Sequence, residues 1–120
     1  MELWFSSSNN FALNFIKEFD HYVHRLEKNI KFTPQYVSWA CTTCTPDYKA
    51  RECFSDGKYC APNHAYALFS MEKGVDILTE DLRQTCLHQK LCSEEREAVW
   101  WDYIKAVHSE CYGTITEECS

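Results

Sequence analysis

The chain opens with "MELWFSSSNNFALNFIKEFDHYVHRLEKNIKFTPQYVSWA", residues 1–40, and the periodicity of this stretch decides the fold. "MELWFS" alternates loosely and is rich in aromatics, which suits a short strand. Ser6 to Asn10 is a polar turn with good helix-capping residues. Apolar side chains then fall at Ala12, Phe15, Ile16, Phe19, Tyr22, Val23, Leu26 and Ile30. Their steps of three and four predict an amphipathic helix of about five turns. "FTPQYVSWA" follows, and its aromatic and β-branched residues predict a second strand over Tyr36 to Ala40. Strand, helix and strand make a βαβ unit, with a right-handed crossover and parallel strands. Two strands alone are a poor sheet, so their outer N–H and C=O groups need partners from elsewhere.

Length and composition bound the rest. A chain of 120 residues, 45% hydrophobic and 15% aromatic, is the size of one folded domain. The net charge of −6 excludes a nucleic-acid binder, because backbone neutralisation needs clustered Lys and Arg. "LEKNIK" at 26–31 is the nearest thing to a basic patch, and it is weak. Apolar runs such as "YAL" at 66–68 and "AVWW" at 98–101 are far too short to span a bilayer. Met1 does not open a basic-then-apolar leader.

Eight cysteines are an even number and far above the cytosolic norm, which predicts an oxidising compartment: secretory lumen, vacuole or lysosome, or cell exterior. Four of them fall in "ACTTCTPDYKARECFSDGKYCAPN", residues 40–63. Cys41 and Cys44 have the C-x-x-C spacing shared by redox dithiols, zinc knuckles and disulfide staples. Zinc fits poorly, because strong zinc sequences pair two short knuckles whereas Cys53 and Cys60 are seven apart. His64 and His88 add donors without improving that spacing. Disulfides are the favoured reading. Cys53 and Cys60 are expected to pair around the Asp56-Gly57 turn, and Cys86 with Cys111 to link two helices. Neither a metal nor a cofactor is expected.

Beyond residue 41 the pattern is helical. Thr45 is placed to cap a short helix with Pro46 at its first position, and "SDG" at 55–57 is a turn. A helix over Asp76–Leu91 is expected to bury Leu78, Leu82 and Cys86, with Glu80 and Asp81 near its positive end. Ser93 starts another, with Glu94 and Glu95 in its first turn and a stripe of Trp100, Tyr103, Ile104, Val107 and Cys111. Gly113 stops it, and Thr116-Glu117-Glu118 opens one more. Trp101 falls off the stripe, so it either covers the cysteine-rich loop or contacts a partner. His21 and His24, beside Lys17 and Lys28, read as a solvated helix face. Glu94, Glu95 and Glu97 read as helix-dipole complements.

"ELW", "FTPQYVSW" leading into Cys41, "CFSDGKYCAPN", "LRQTC", "WWDYI", Cys111 and "TEEC" follow in an order that resembles one family. It is the thioredoxin-like luminal domain of vacuolar sorting receptors, single-pass membrane proteins of plants and many protists. The resemblance implies an α+β, mainly helical fold within a single, incomplete thioredoxin-like domain at 1–120. Residues 1–40 form its βαβ unit, 41–120 a cysteine-rich, disulfide-stapled helical insertion, and the later strands lie outside the chain. It implies that ligand contacts belong mainly to a protease-associated domain not represented here, so no binding residue carries over. Cys119 then has a possible partner in the absent segment. Cys44 and Cys92 are extra relative to the family pattern, which permits a mutual bridge. A thioredoxin-like fold carries its active dithiol after the first strand, where this chain reads Ser7-Ser8-Asn9-Asn10, without a thiol.

The expectation is therefore a non-enzymatic luminal module for protein recognition or spacing in cargo sorting. Its partners would be proteins: cargo, or neighbouring domains or chains that complete the sheet. The rivals are a thiol–disulfide oxidoreductase using Cys41 and Cys44, and a structural component of an extracellular assembly.

Overall fold

The computed structural model describes residues 1–26, 29–62, 73–111, 115 and 118–120. Strand β1 (Glu2–Phe5) and strand β2 (Thr33–Tyr36) pair in parallel, with Glu2 opposite Thr33 and Phe5 opposite Tyr36. Helix α1 (Asn10–Leu26) is the crossover between them. The Asn9 side chain accepts from the Ala12 amide at 3.0 Å and so supplies the N-cap that the polar turn promised. Ile30 lies beyond the helix, and Leu13 and Ile16 are its buried contribution to the core.

The second strand departs from expectation. It runs over Thr33–Tyr36, not Tyr36–Ala40. The chain then turns to a different partner: Trp39 exchanges backbone hydrogen bonds with Cys60, and its indole N–H donates to the Ala61 carbonyl at 2.7 Å. Trp39 thus serves a second, local sheet. Pro34 is accommodated within β2, opposite Leu3, because a strand with an open edge does not need every N–H in a ladder.

That local sheet is a hairpin of β3 (Cys53–Phe54) and β4 (Tyr59–Cys60). It follows α2 (Pro46–Glu52), whose first turn is capped by Thr45 accepting from the Tyr48 amide. The "SDG" turn is left-handed throughout, with φ of 52° at Ser55, 53° at Asp56 and 88° at Gly57. At Gly57 a Cβ would lie 2.3 Å from the Cys41 carbonyl oxygen, and the Gly57 carbonyl accepts from the Cys41 amide at 2.7 Å. The turn is pressed against the C-x-x-C segment, and only glycine fits.

Helix α3 (Gly74–Ser93) and helix α4 (Glu97–Cys111) complete the chain's regular structure among the described residues. The α3 amide at Gly74 donates to the Glu52 carboxylate, so the end of α2 caps the start of α3. The inward face of α3 carries Ile77, Leu78, Glu80, Asp81, Gln84, His88 and Leu91. Leu82 is 58% exposed and Cys86 is exposed, contrary to the expected burial of both. Leu78 is buried as expected, but the rest of the stripe mixes Ile77 and Leu91 with charged and amide side chains, which hydrophobic periodicity does not register.

Helix α4 begins at Glu97 rather than Ser93, because Glu94 and Glu95 form the link from α3, with Glu95 left-handed at φ 57°. Its stripe of Trp100, Ile104, Val107 and Cys111 is buried as expected. Trp101 is buried too, at 0% exposure, so it neither covers the cysteine-rich loop nor reaches a partner. Helix α4 is wedged between α1 and α3, and each tryptophan faces a different neighbour. Trp100 donates its indole N–H to the Gln84 carbonyl of α3, while Trp101 meets Phe19 of α1. One core therefore joins Phe5, Leu13, Ile16 and Phe32 to Leu91, Trp100, Trp101 and Ile104. His64, Gly113, Thr116 and Glu117 lie outside the described residues.

Replacing Gly57 with alanine sets a Cβ against backbone and forces a left-handed φ on it. Gly57→Ala is expected to destabilise the chain by ~1–3 kcal/mol, read as a lower urea midpoint with an unchanged slope.

Candidate functional site

Six cysteines form three bridges: Cys41–Cys44, Cys53–Cys60 and Cys111–Cys119. Cys86 and Cys92 are thiols. The expected link from Cys86 to Cys111 is absent because Cys86 points outward from α3, while Cys111, on the buried stripe of α4, closes on the C-terminal segment. Cys119 therefore has its partner within the chain. Cys44 is taken by Cys41, which leaves Cys92 unbridged. Cys53 and Cys60 are cross-strand neighbours in the hairpin register.

The junction after β1 holds no sulfur. Ser7 occupies it, almost fully buried, and its amide donates to Asp81 Oδ1 at 2.7 Å while its hydroxyl donates to the Ile77 carbonyl at 3.3 Å. A strand end is thus anchored on α3 through a carboxylate. Tyr36, at the end of β2, donates to Gln84 Oε1 at 2.6 Å and anchors the second strand on the same helix.

Beside these anchors a cleft of about 570 Å³ opens. Its walls are Tyr36 at the end of β2 and Val37 just beyond it, Phe54 and Tyr59 of the hairpin, and Leu78 and Leu82 of α3. Asp81 also lines it, 5% exposed, and its Oδ2 has no hydrogen-bond partner among the described residues. An open α/β sheet places its crevice at the carboxyl ends of its strands, which is where this one lies. Burial pushes the Asp81 carboxyl up to about 7; the Ser7 amide and hydroxyl oppose that shift, and neighbouring Glu80 adds to it. Burial, with Asp81 and Glu80 nearby, also holds the Tyr36 hydroxyl firmly protonated.

Glu80 itself is satisfied. It receives Arg83 at 2.6 Å, Gln84 at 2.8 Å and the Tyr103 hydroxyl at 3.0 Å, and burial together with Glu80 pushes Tyr103 up to about 12. Asp81 alone of the pair keeps a buried oxygen without a partner among the described residues. The cleft therefore offers apolar walls and one carboxylate, which suits an extended segment bearing an apolar side chain and a cation or hydrogen-bond donor.

Among the described residues, two side-chain groups have ligand types and spacing suited to a metal ion: His88, Cys92 and Glu97, and Asp20, His24 and Asp102. His24 is exposed, as its solvated-face reading predicts, and so is His21. Glu97 does more than complement a helix dipole, since its carboxylate meets His88 Nε2 at 3.1 Å. The first group resembles a nucleophile, base and acid in kind. Burial and then Glu97 push the Cys92 thiol up, however, the opposite of what an activated nucleophile needs.

Sequence reasoning read Asp81 as a dipole complement and missed the cleft. The available signal was its place among Ile77, Gln84 and His88, on steps of three and four.

Comparison with known proteins places the chain among relatives. Residues 1–120 match the family described as vacuolar sorting receptor thioredoxin-like domain. Vacuolar-sorting receptor 7 of Arabidopsis thaliana is 34% identical over 121 residues, and vacuolar-sorting receptor 6 of the same plant 33% over 123. Vacuolar-sorting receptor 1 of Pisum sativum is 31% identical over 121 residues. Each alignment takes in 92% of this chain and 19% of the relative, so the chain spans about a fifth of their length.

The raised Asp81 carboxyl fixes the sign of a pH effect. Its contribution to stability is complete below the unfolded value near 3.8 and is lost as pH rises through about 7. Asp81→Asn keeps an acceptor for Ser7 and removes the buried charge. The variant should be more stable than the parent at pH 8, and its advantage should fall by ~2–3 kcal/mol at pH 5, measured by urea unfolding across that range.

Proposed function

The chain belongs to the vacuolar sorting receptor thioredoxin-like domain family, and on that footing we propose that it is a non-catalytic protein-recognition module working in the lumen of the secretory pathway. It forms one thioredoxin-like domain, with residues 1–40 supplying the βαβ unit and 41–120 the helical, disulfide-stapled insertion. The relatives are named for vacuolar sorting, and three disulfides suit an oxidising lumen.

The observation that carries the reading is the cleft with the unpartnered Asp81 oxygen. Its apolar walls take the side chains of an extended protein segment, and Asp81 takes a lysine, an arginine or an amino terminus. A net charge of −6 adds long-range attraction for such a basic segment. Fixed walls serve this role well: the hairpin is held by Cys53–Cys60 and by the Gly57–Cys41 contact, so little ordering is needed on binding. Chemistry at sulfur has little support beside it. Ser7 fills the junction after β1, and the Cys41–Cys44 bridge braces the hairpin turn.

Two measurements test this. Extended peptides bearing one lysine among apolar residues should bind the oxidised chain at pH 8, and Asp81→Asn should weaken them by at least about tenfold. Equal binding of lysine-free peptides, or no loss in the variant, overturns the recognition site. In an insulin-reduction assay the chain should not exceed the dithiothreitol background. A rate above background that disappears in Cys41→Ser overturns the non-catalytic reading.

A further inference from the structure

The corner between α3 and α4 gathers three metal-ligand types that no sequence spacing announced. His88 and Cys92 lie one turn apart on α3, and Glu97 is the first residue of α4. His88 Nε2 is 3.1 Å from Glu97 Oε1 and 3.5 Å from Cys92 Sγ, and the donor atoms of all three lie within 4.8 Å of one another. These separations carry information. With zinc–nitrogen and zinc–oxygen bonds of about 2.0–2.1 Å and a zinc–sulfur bond of about 2.3 Å, a tetrahedron has an N–O edge of about 3.3 Å and an N–S edge of about 3.6 Å. The N–O and N–S separations are close to those edges. Cys92 Sγ also lies 3.7 Å from His88 Nδ1, so a rotation of the Cys92 side chain towards Glu97 brings all three donors round an ion on Nε2.

The surroundings suit such an ion. His88 is buried, with Phe32 and Trp100 packed edge-on against its ring, so its position is fixed by the aromatic core. The link between the helices is fixed as well: the Arg96 amide donates to the Leu91 carbonyl at 2.8 Å, which sets Glu97 back over the last turn of α3. Thiolate and carboxylate together would neutralise a divalent charge. Cys92 is exposed, which leaves a fourth position open towards solvent. The second group, Asp20, His24 and Asp102, lacks this character, because Lys105 already sits 2.8 Å from Asp20 and 3.0 Å from Asp102.

We propose that His88, Cys92 and Glu97 form a three-ligand site for a zinc-class divalent cation, with water or a partner's donor as fourth ligand. The mixed soft and borderline donors favour zinc or cobalt over magnesium or calcium. Bound there, the ion would clamp the α3–α4 corner on which Trp100 and Trp101 are mounted. This site is independent of the Asp81 cleft, so either can fail without the other.

The test uses the full chain with its three disulfides intact and Co(II), then Zn(II), as probes. Cobalt should bind one to one, with a thiolate-to-cobalt charge-transfer band in the near ultraviolet and the intense visible bands of a four-coordinate ion. Zinc should displace it. Cys92→Ser should abolish the charge-transfer band, Cys86→Ser should leave it unchanged, and Glu97→Gln should weaken cobalt binding by at least about tenfold. Because a variant at this corner can misfold, the unmodified chain gives a second readout. Zinc should slow alkylation of Cys92 and leave that of Cys86 unchanged, as resolved by peptide mass. Absence of the thiolate band, its survival in Cys92→Ser, or equal alkylation of the two thiols with and without zinc overturns the site.

Discussion

Two parallel strands of four residues cannot bury a core of their own, and the fold depends on the aromatic wedge that supplies one. Trp100 and Trp101 stand edge to face at the start of α4, 5.5 Å apart, with Phe32 4.7 Å from Trp101. Consecutive residues on a helix point about 100° apart. One tryptophan therefore meets α3 and the other meets α1, and this pair sits at the centre of the core that joins the βαβ unit to the later helices. Burying two indoles contributes several kcal/mol by area alone, with a further ~0.5–1.5 kcal/mol for each favourable ring pair. That is comparable to the whole margin by which a domain of this size is stable.

The wedge fixes how far apart the layers sit, and the polar seam of α3 fixes their register. Ser7 on Asp81, Tyr36 on Gln84 and Tyr103 on Glu80 each tie a different element to the same helix. Buried polar links of this kind add little net stability when satisfied and are costly when one partner is lost. Their value lies in specificity, since each admits only one placement of the strand end. Asp81 is the exception within the seam, with one oxygen held by Ser7 and the other buried without a partner among the described residues. A group kept at that cost in the wall of a cleft is what distinguishes a site from a core.

Legibility followed the physics of each element. The first strand, α1, the Thr45 cap and the turn at 55–57 were readable because hydrophobic period, capping and turn chemistry are local. The end of β2 was not, since Trp39 leaves it for a partner at Cys60 that no local pattern marks. The inward face of α3 was read only in part: Leu78 is buried as expected, but Glu80, Asp81, Gln84 and His88 share that face, while Leu82 and Cys86 carried an apolar signal and point outward. Trp101 was misplaced because a one-sided stripe assumes one neighbour, and α4 has two. The corner of His88, Cys92 and Glu97 was invisible for another reason, since its third member belongs to a different helix.

The disulfides play a more local part than their number suggests. They join residues only 3, 7 and 8 positions apart. Closing loops this short restricts the unfolded chain by roughly 2–2.5 kcal/mol each, near the low end for such bridges. None crosses from the βαβ unit to α3 or α4. The sulfur bridges hold the C-x-x-C turn, the hairpin and the C-terminal segment in shape, but they do not hold those parts to the sheet. Long-range cohesion falls to the tryptophan wedge and the polar seam. Reduction should therefore loosen the cleft's hairpin wall well before it separates the layers.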